Sequence, residues 1–246
     1  MRRAHRSEVA FLVVFAPIAL LIILTLLLYR AYWIPSGSMK PSLLIGDYLL
    51  VNRAAYGFPA LMCGIGQCDG DMGPFADLPE RGDIATFIHP VRPEHFIKRI
   101  IGLPGDEVQM RAGQLHLNGT AVETFKQRPF EETYVLENGY IACNNAPVEI
   151  GAPCFKDQVR EALPNGRSYL TINIADDLTA DNTKTFTVPA GHVFVMGDNR
   201  DNSLDSRFPP VRGGIGFVPL ENMIGRADVI LFSLTGQKGR VLTWVE

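Results

Sequence analysis

Apolar residues are laid out along this chain in two different ways. Positions 9–28 form one continuous apolar run, interrupted by a single Thr and a single Pro and carrying no charge. Twenty helical residues at about 1.5 Å each span about 30 Å, the hydrocarbon thickness of a bilayer, so the run predicts a transmembrane helix. A cleaved signal peptide would have a shorter apolar core and a small-X-small site. The sequence from Leu28 to Trp33 offers no such site, and an uncleaved anchor is expected. Beyond it, apolar residues come in short bursts at 47–53, 84–88, 96–101, 169–174, 192–196 and 227–232, each flanked by Gly, Pro, Asp or Asn. Length and flanks predict strands. Between Glu107 and Thr124, Ala112-Gly113 and Asn118-Gly119 separate three short alternating runs, which predicts a three-stranded meander. Two stretches read as insertions: 54–80, rich in Gly, Pro and aromatic residues, and a looser one at about 128–184. In the first, Tyr56, Phe58, Leu61, Met62, Ile65 and Phe75 could meet lipid or substrate, or pack the loop upon itself.

Composition narrows the class. Lys+Arg 23 against Asp+Glu 26, a net charge of -3 and 47% apolar residues exclude a general nucleic-acid binder and a disordered chain. With 23 Gly and 17 Pro the chain is turn-rich, which favours a mainly β fold over a helical bundle. Arg2, Arg3 and Arg6 crowd the N-terminus, whereas Arg30, Lys40 and Arg53 are spread out after the apolar run. The positive-inside rule then gives a cytoplasmic segment at 1–8, an anchor at 9–28 and an extracytoplasmic β domain at 29–246, with an inserted β subdomain at about 110–190. Tyr29, Tyr32 and Trp33 fit an interfacial aromatic belt. The four cysteines would lie outside the membrane, and their grouping as Cys63 with Cys68 and Cys143 with Cys154 favours two local disulfides. A zinc site is the alternative, but neither gap is C-x2-C and no His lies near either pair. No metal or cofactor is expected.

The candidate chemistry comes down to one serine and one lysine. No Ser sits in a G-x-S-x-G elbow for His89, His95, His116 or His192 to serve, and His116 and His192 fall inside alternating strands. The polar loop 198–206 has the look of a calcium loop, but Ser203 stands where the loop needs Gly and Pro209 where it needs Glu. Serine hydrolases also use Lys as base. Ser38 lies in Pro35-Ser-Gly-Ser-Met-Lys-Pro41, where Gly37 permits unusual backbone angles and frees N–H groups beside the hydroxyl. Strand alternation puts Lys98 on one face with Phe96 and Ile100, and Arg99 opposite with Ile97 and Ile101, so one of these cations faces apolar neighbours. Burial lowers the pKa of a lysine while arginine stays protonated, which leaves Lys98 as the candidate base.

Pro35-Ser-Gly-Ser-Met-Lys-Pro-Ser-Leu43 followed by Gly46-Asp47, Arg81-Gly-Asp-Ile84, Ile97-Lys-Arg99 with Gly102-Leu-Pro-Gly-Asp106, and Gly197 to Arg207 resembles the type I signal peptidases of bacteria, block by block and in order. The resemblance implies a signal-peptidase-type β catalytic domain, a Ser38 nucleophile and a Lys98 base. It implies that Ser36 adds a hydroxyl to the oxyanion hole, that Ser203 orients the Lys98 amine, and that Asp205 and Arg207 form a structural ion pair with Arg99 as a third member. Ile34, Met39, Leu43, Phe96 and Ile97 match positions lining shallow apolar pockets. Ser42 stands where the family has Thr, and Trp-Gly is missing after Arg207. The implied function is cleavage of signal peptides after small residues at the outer face of the cytoplasmic membrane, with preproteins, membrane lipid and the secretion machinery as partners. Two alternatives keep the fold: a relative specialised for conjugative pilins, and a non-catalytic anchored binding module. A self-cleaving Ser/Lys repressor is disfavoured for want of a DNA-binding domain before the serine.

Overall fold

The computed structural model describes residues 15–21, 25, 28–57, 77–135, 143–234 and 239–245. In chain order the strands among them are β1 (Tyr29–Trp33), β2 (Asp47–Asn52), β3 (Ile84–Ile88), β4 (His95–Gly102), β5 (Glu107–Arg111), β6 (Gln114–Leu117), β7 (Thr120–Ala121) and β8 (Glu123–Lys126). They continue with β9 (Phe130–Thr133), β10 (Pro153–Ala162), β11 (Ser168–Asn173), β12 (Phe186–Thr187), β13 (His192–Met196), β14 (Val218–Pro219), β15 (Met223–Ser233) and β16 (Thr243–Trp244). Eight form one antiparallel sheet in the order β1-β2-β15-β3-β4-β13-β14, with β16 on β15. Two four-stranded sheets, β12-β5-β6-β7 and β11-β10-β8 with β9 also on β10, come from the chain between β4 and β13. The fold is mainly β.

The apolar bursts became strands because each buries one face. In β2 burial alternates along the strand, with Asp47, Leu49 and Val51 inside, and β3, covered on both sides, is buried at Ile84, Ala85, Thr86 and Phe87. The meander is present as β5, β6 and β7. Ala112, Gly113, Asn118 and Gly119 all have positive φ, the geometry that lets a two-residue turn follow the twist of its strands.

The structure bears on three of these expectations. Residues 15–21, 25 and 28 are helical, but no helix among the described residues is long and apolar enough to cross a membrane. Tyr29, Tyr32 and Trp33 belong to β1, paired along its length with β2, so the large sheet begins directly after the helical residues. The stretch at 128–184 is no loose insertion, since it holds the ten-residue β10 paired with β8, β9 and β11. Its fully buried positions are Cys154, Lys156 and Glu161, and two charges among three hide the apolar alternation that marks a strand.

Cys143 and Cys154 are joined, with Cα atoms 5.3 Å apart and a sequence separation of 11. Cys63 and Cys68 lie outside the described residues, as do positions 1–8 and 58–76. For so short a loop the lost chain entropy amounts to about 3 kcal/mol. The Cys143→Ala/Cys154→Ala variant is therefore expected to unfold at a lower temperature than the oxidised parent by a corresponding amount, as read in a thermal melt.

Candidate active site

The serine and the lysine, 60 positions apart in sequence, meet across two elements. Ser38 sits in a single turn of 3-10 helix, Gly37–Met39, half-exposed, and Lys98 projects from the middle of β4. Lys98 Nζ is 2.6 Å from Ser38 Oγ and donates to the Ile97 carbonyl at 3.1 Å. The residue is 4% exposed. Burial disfavours the ammonium and lowers its pKa to about 8, against the pull of the Asp205 and Asp198 carboxylates and with help from Arg207. Those carboxylates are each paired with an arginine of their own, which limits their pull on the lysine.

Both cations of the Lys98-Arg99 pair are buried, where alternation alone had put just one against apolar neighbours. Arg99 is satisfied on its own face. It forks onto Asp198 with Nε at 2.8 Å and Nη2 at 2.7 Å, gives Nη1 to the Gly82 carbonyl at 2.7 Å, and lies 4.1 Å over the Tyr169 ring. Arg99 thus pairs with Asp198 instead of joining Asp205 and Arg207, which make a separate two-bond pair at 2.9 Å. Burial pushes the Asp205 carboxyl up, but the Arg207 guanidinium and its bonds outweigh this and hold it below the usual carboxylate range.

The polar loop after β13 brings these parts into register. Asn199 donates its backbone N–H to the Ser38 carbonyl at 3.1 Å and its side-chain amide to the Gly37 carbonyl at 3.0 Å. Ser42 Oγ donates to Asp198 at 2.5 Å and accepts from Arg99 at 3.1 Å, tying the serine segment, β4 and the loop together. Arg200 reaches Glu161 of β10 through two bonds at 2.5 and 2.6 Å, and Tyr169 of β11 joins the same carboxylate at 2.8 Å. Asn199, Asp198 and the Arg200–Glu161 pair had no role in the sequence reading. Their signal was present in the density of Asp, Asn and Arg in one loop, but not their partners.

Ser36 Oγ lies 3.5 Å from Ser38 Oγ. Ser203 Oγ is buried beside the Asp205 carboxylate, which it helps to hold in its charged form, and it makes no hydrogen bond to Lys98, the contact that the resemblance implies. Ser203 packs over Gly197. A Cβ at 197 would meet Ser203 Oγ at 2.3 Å and the Ser38 carbonyl at 2.5 Å, which leaves room for glycine alone. Of the five pocket candidates, Ile34, Met39 and Leu43 are closed in a core cluster with Leu49, Ile84, Ala227 and Ile230. Ile97 packs against that cluster and is half-buried, while Phe96 packs against the neighbouring one around Phe87 and Ile100. Cavities of about 630 and 200 Å³ lie elsewhere: neither is lined by Ser38 or Lys98, although Arg99 lines the larger. Among the described residues no histidine is hydrogen-bonded to the pair; His89 is buried against the Gly214 carbonyl, and His116 and His192 contact backbone carbonyls of their own strands and turns.

A half-exposed hydroxyl held against a buried amine of lowered pKa can do the chemistry of a serine hydrolase that uses an amine base. A family model described as "Signal peptidase, peptidase S26" matches residues 6–232. Signal peptidase I of Rickettsia typhi is 34% identical over 229 residues, covering 88% of this chain and 76% of its own, and that of Rickettsia massiliae is 34% identical over 233 residues with the same coverage. A crystal structure of a signal peptidase I from Enterococcus faecalis shares 28% sequence identity with a TM-score of 0.31, covering 61% of this chain and 97% of that one. The chain belongs to the signal peptidase family, peptidase S26. It is a serine peptidase of signal peptide removal.

Proposed function

We propose that Ser38 and Lys98 perform this cleavage as nucleophile and general base. The observation that carries the reading is the 2.6 Å approach of Ser38 Oγ to a buried Lys98 amine. Ser38 Oγ attacks the carbonyl carbon of the scissile bond while neutral Lys98 takes its proton. The Ser38 N–H and the Ser36 hydroxyl receive the oxyanion. When the tetrahedral intermediate collapses, the C–N bond breaks, Lys98 returns the proton to the leaving amine and an acyl-Ser38 ester remains. Lys98 then takes a proton from water, whose oxygen attacks the ester, and gives it back to Ser38 Oγ as the leader acid departs.

The substrate has to be extended to expose its bond. Among the described residues, His95 to Lys98 of β4 pair with β3 alone in the ladders of the large sheet, and β13 joins only from Arg99 onward. The free edge beside Ser38 suits an added substrate strand, with Ile97 and Phe96 at its side. Pockets for small residues would form when Met39, Leu43 and Ile34 yield to an entering alanine side chain. In the proposed topology the 9–28 run anchors the chain with its N-terminus in the cytoplasm. Ten residues at no more than ~3.6 Å each then keep Ser38 within about 36 Å of the bilayer, near lipid and the secretion machinery. Detergent-solubilised protein is expected to cut a preprotein after its Ala-X-Ala site and to spare a version with a bulky residue in place of the last Ala; equal cutting of both, read by mass spectrometry, would overturn the specificity.

Ser203 completes the site in this reading. A neutral amine has two N–H groups, of which the Ile97 carbonyl takes one, and the Ser203 hydroxyl, which can donate to Asp205 and still accept, is suited to receive the other as the substrate closes the site. Ser203→Ala is expected to reduce kcat by one to two orders of magnitude with KM little changed, roughly the effect of a misdirected base. Wild-type kcat in that variant would return Ser203 to a packing role over Gly197.

A further inference from the structure

A second buried lysine stands beside the nucleophile, and nothing in the mechanism uses it. Lys40 is 6% exposed, and its stem lies over the Gly37 backbone: a Cβ at 37 would meet Lys40 Cε at 3.1 Å and both Cδ and Nζ at 3.4 Å. Gly37 has no positive φ among the glycines that do, so its smallness serves this close approach and not an unusual backbone. Lys40 Nζ binds Glu132 Oε2 at 2.8 Å, and the other oxygen of that carboxylate binds Lys156 at 2.5 Å. Burial raises the Glu132 carboxyl, but the two ammonium groups outweigh it and keep the group below its usual range.

Glu132 stands on a firm platform. It lies in β9 directly opposite Cys154 of β10, and Cys154 is tied to Cys143. Asn144 and Asn145 bind the same hairpin: the Asn144 N–H and side chain engage Phe155 and Asp157, and the Asn145 side chain engages Phe155 and Pro153. The nucleophile turn, by contrast, is three residues of 3-10 helix, too short to hold its shape unaided. Asn199 holds it from the side of the polar loop.

We propose that Lys40 is a positioning residue which, through Glu132, fastens the Ser38 turn to the β9–β10 hairpin. The proposal rests on Ser38 as the nucleophile. Held from Asn199 on one side and Glu132 on the other, the turn keeps Ser38 Oγ in line with Lys98 and with the free edge of β4. A misplacement of about 1 Å in such a constellation costs up to ~100-fold in rate. The ion pair itself adds little to stability, since the desolvation of buried charges offsets their attraction. Lys40→Met also leaves Glu132 paired with Lys156, and the chain is expected to fold.

The test compares the full chain in detergent, as wild type, Lys40→Met, Lys40→Arg, Lys156→Met and Ser38→Ala, on one preprotein. The expected result is a kcat lower by roughly tenfold or more in Lys40→Met with KM within about twofold, recovery to within about threefold in Lys40→Arg, and a near-wild-type kcat in Lys156→Met. A kcat in Lys40→Met within about twofold of wild type would overturn the proposal. So would an equal loss in Lys156→Met, or a failure of Lys40→Arg to recover. Cleavage by Ser38→Ala would mean that the nucleophile is misassigned; an inactive Ser38→Ala beside an unaffected Lys40→Met removes the clamp alone.

Discussion

Replacing Ser38 with alanine is expected to lower preprotein cleavage by roughly four orders of magnitude or more while leaving the fold intact. The side chain is half-exposed, and the one atom removed binds Lys98 and faces Ser36. No core cluster includes it, and the backbone bond from Asn199 to the Ser38 carbonyl stays. A thermal midpoint close to wild type, together with loss of kcat/KM and of any acyl-enzyme trapped on the chain, is the expected pattern. Cleavage at a rate near wild type would remove Ser38 from the mechanism.

The second large effect separates activity from stability at one residue. Lys98→Met fills nearly the same volume without a base, so cleavage should fall as far as in Ser38→Ala, and the double variant should be no worse than either, because nucleophile and base act as a unit. In the wild type the reactive form is the free amine. With a pKa of about 8, cleavage should fall about tenfold per pH unit below that value and level off above it. Stability runs the other way for the variant. The folded-state pKa lies below the 10.5 of an unperturbed lysine, so the folded chain carries the cost of a buried ammonium at every pH below about 8. Between about 8 and 10.5 the unfolded state binds more protons, and wild-type stability from this group rises with pH. Lys98→Met should therefore be more stable than wild type by on the order of 2–4 kcal/mol near pH 7, a gain that fades toward pH 10.5. A variant that melts lower than wild type at pH 7 would show that Lys98 is not held at such a cost.

The clamp at Lys40 and the open site at Ser203 have a common basis in this architecture. Each side of the nucleophile turn is held by a polar group whose partner comes from far along the chain: Asn199 from the loop after β13, and Glu132 from β9, which pairs with β10 in one of the small sheets. Cys143–Cys154 belongs to the same arrangement, since it stiffens the strand opposite Glu132. Loss of the disulfide should be felt in stability first and in turnover through the Lys40 contact.

Much of the sheet was already written in local chemistry. Runs such as 84–88 and 192–196 bury apolar side chains on a strand, and their transfer from water is a property of each residue, legible without knowing the partner strand. The Asn118-Gly119 turn needs positive φ at both positions, which those two residues tolerate, so that hairpin was legible too. The serine and the lysine were picked out by blocks of motif whose order survives in the linear chain. The charged interior was not legible. Arg99 reads in sequence as a companion of Asp205 and Arg207, yet it pairs with Asp198, 99 positions away, because β4 and the loop after β13 place those two groups face to face. The strand β10 escaped detection since its buried positions include Lys156 and Glu161, each made affordable by a carboxylate or guanidinium from another element. An apolar side chain is stabilised by burial against almost any neighbour, so its pattern is fixed by the sequence; a buried charge is stable only against one partner in one geometry, and that the tertiary structure alone decides.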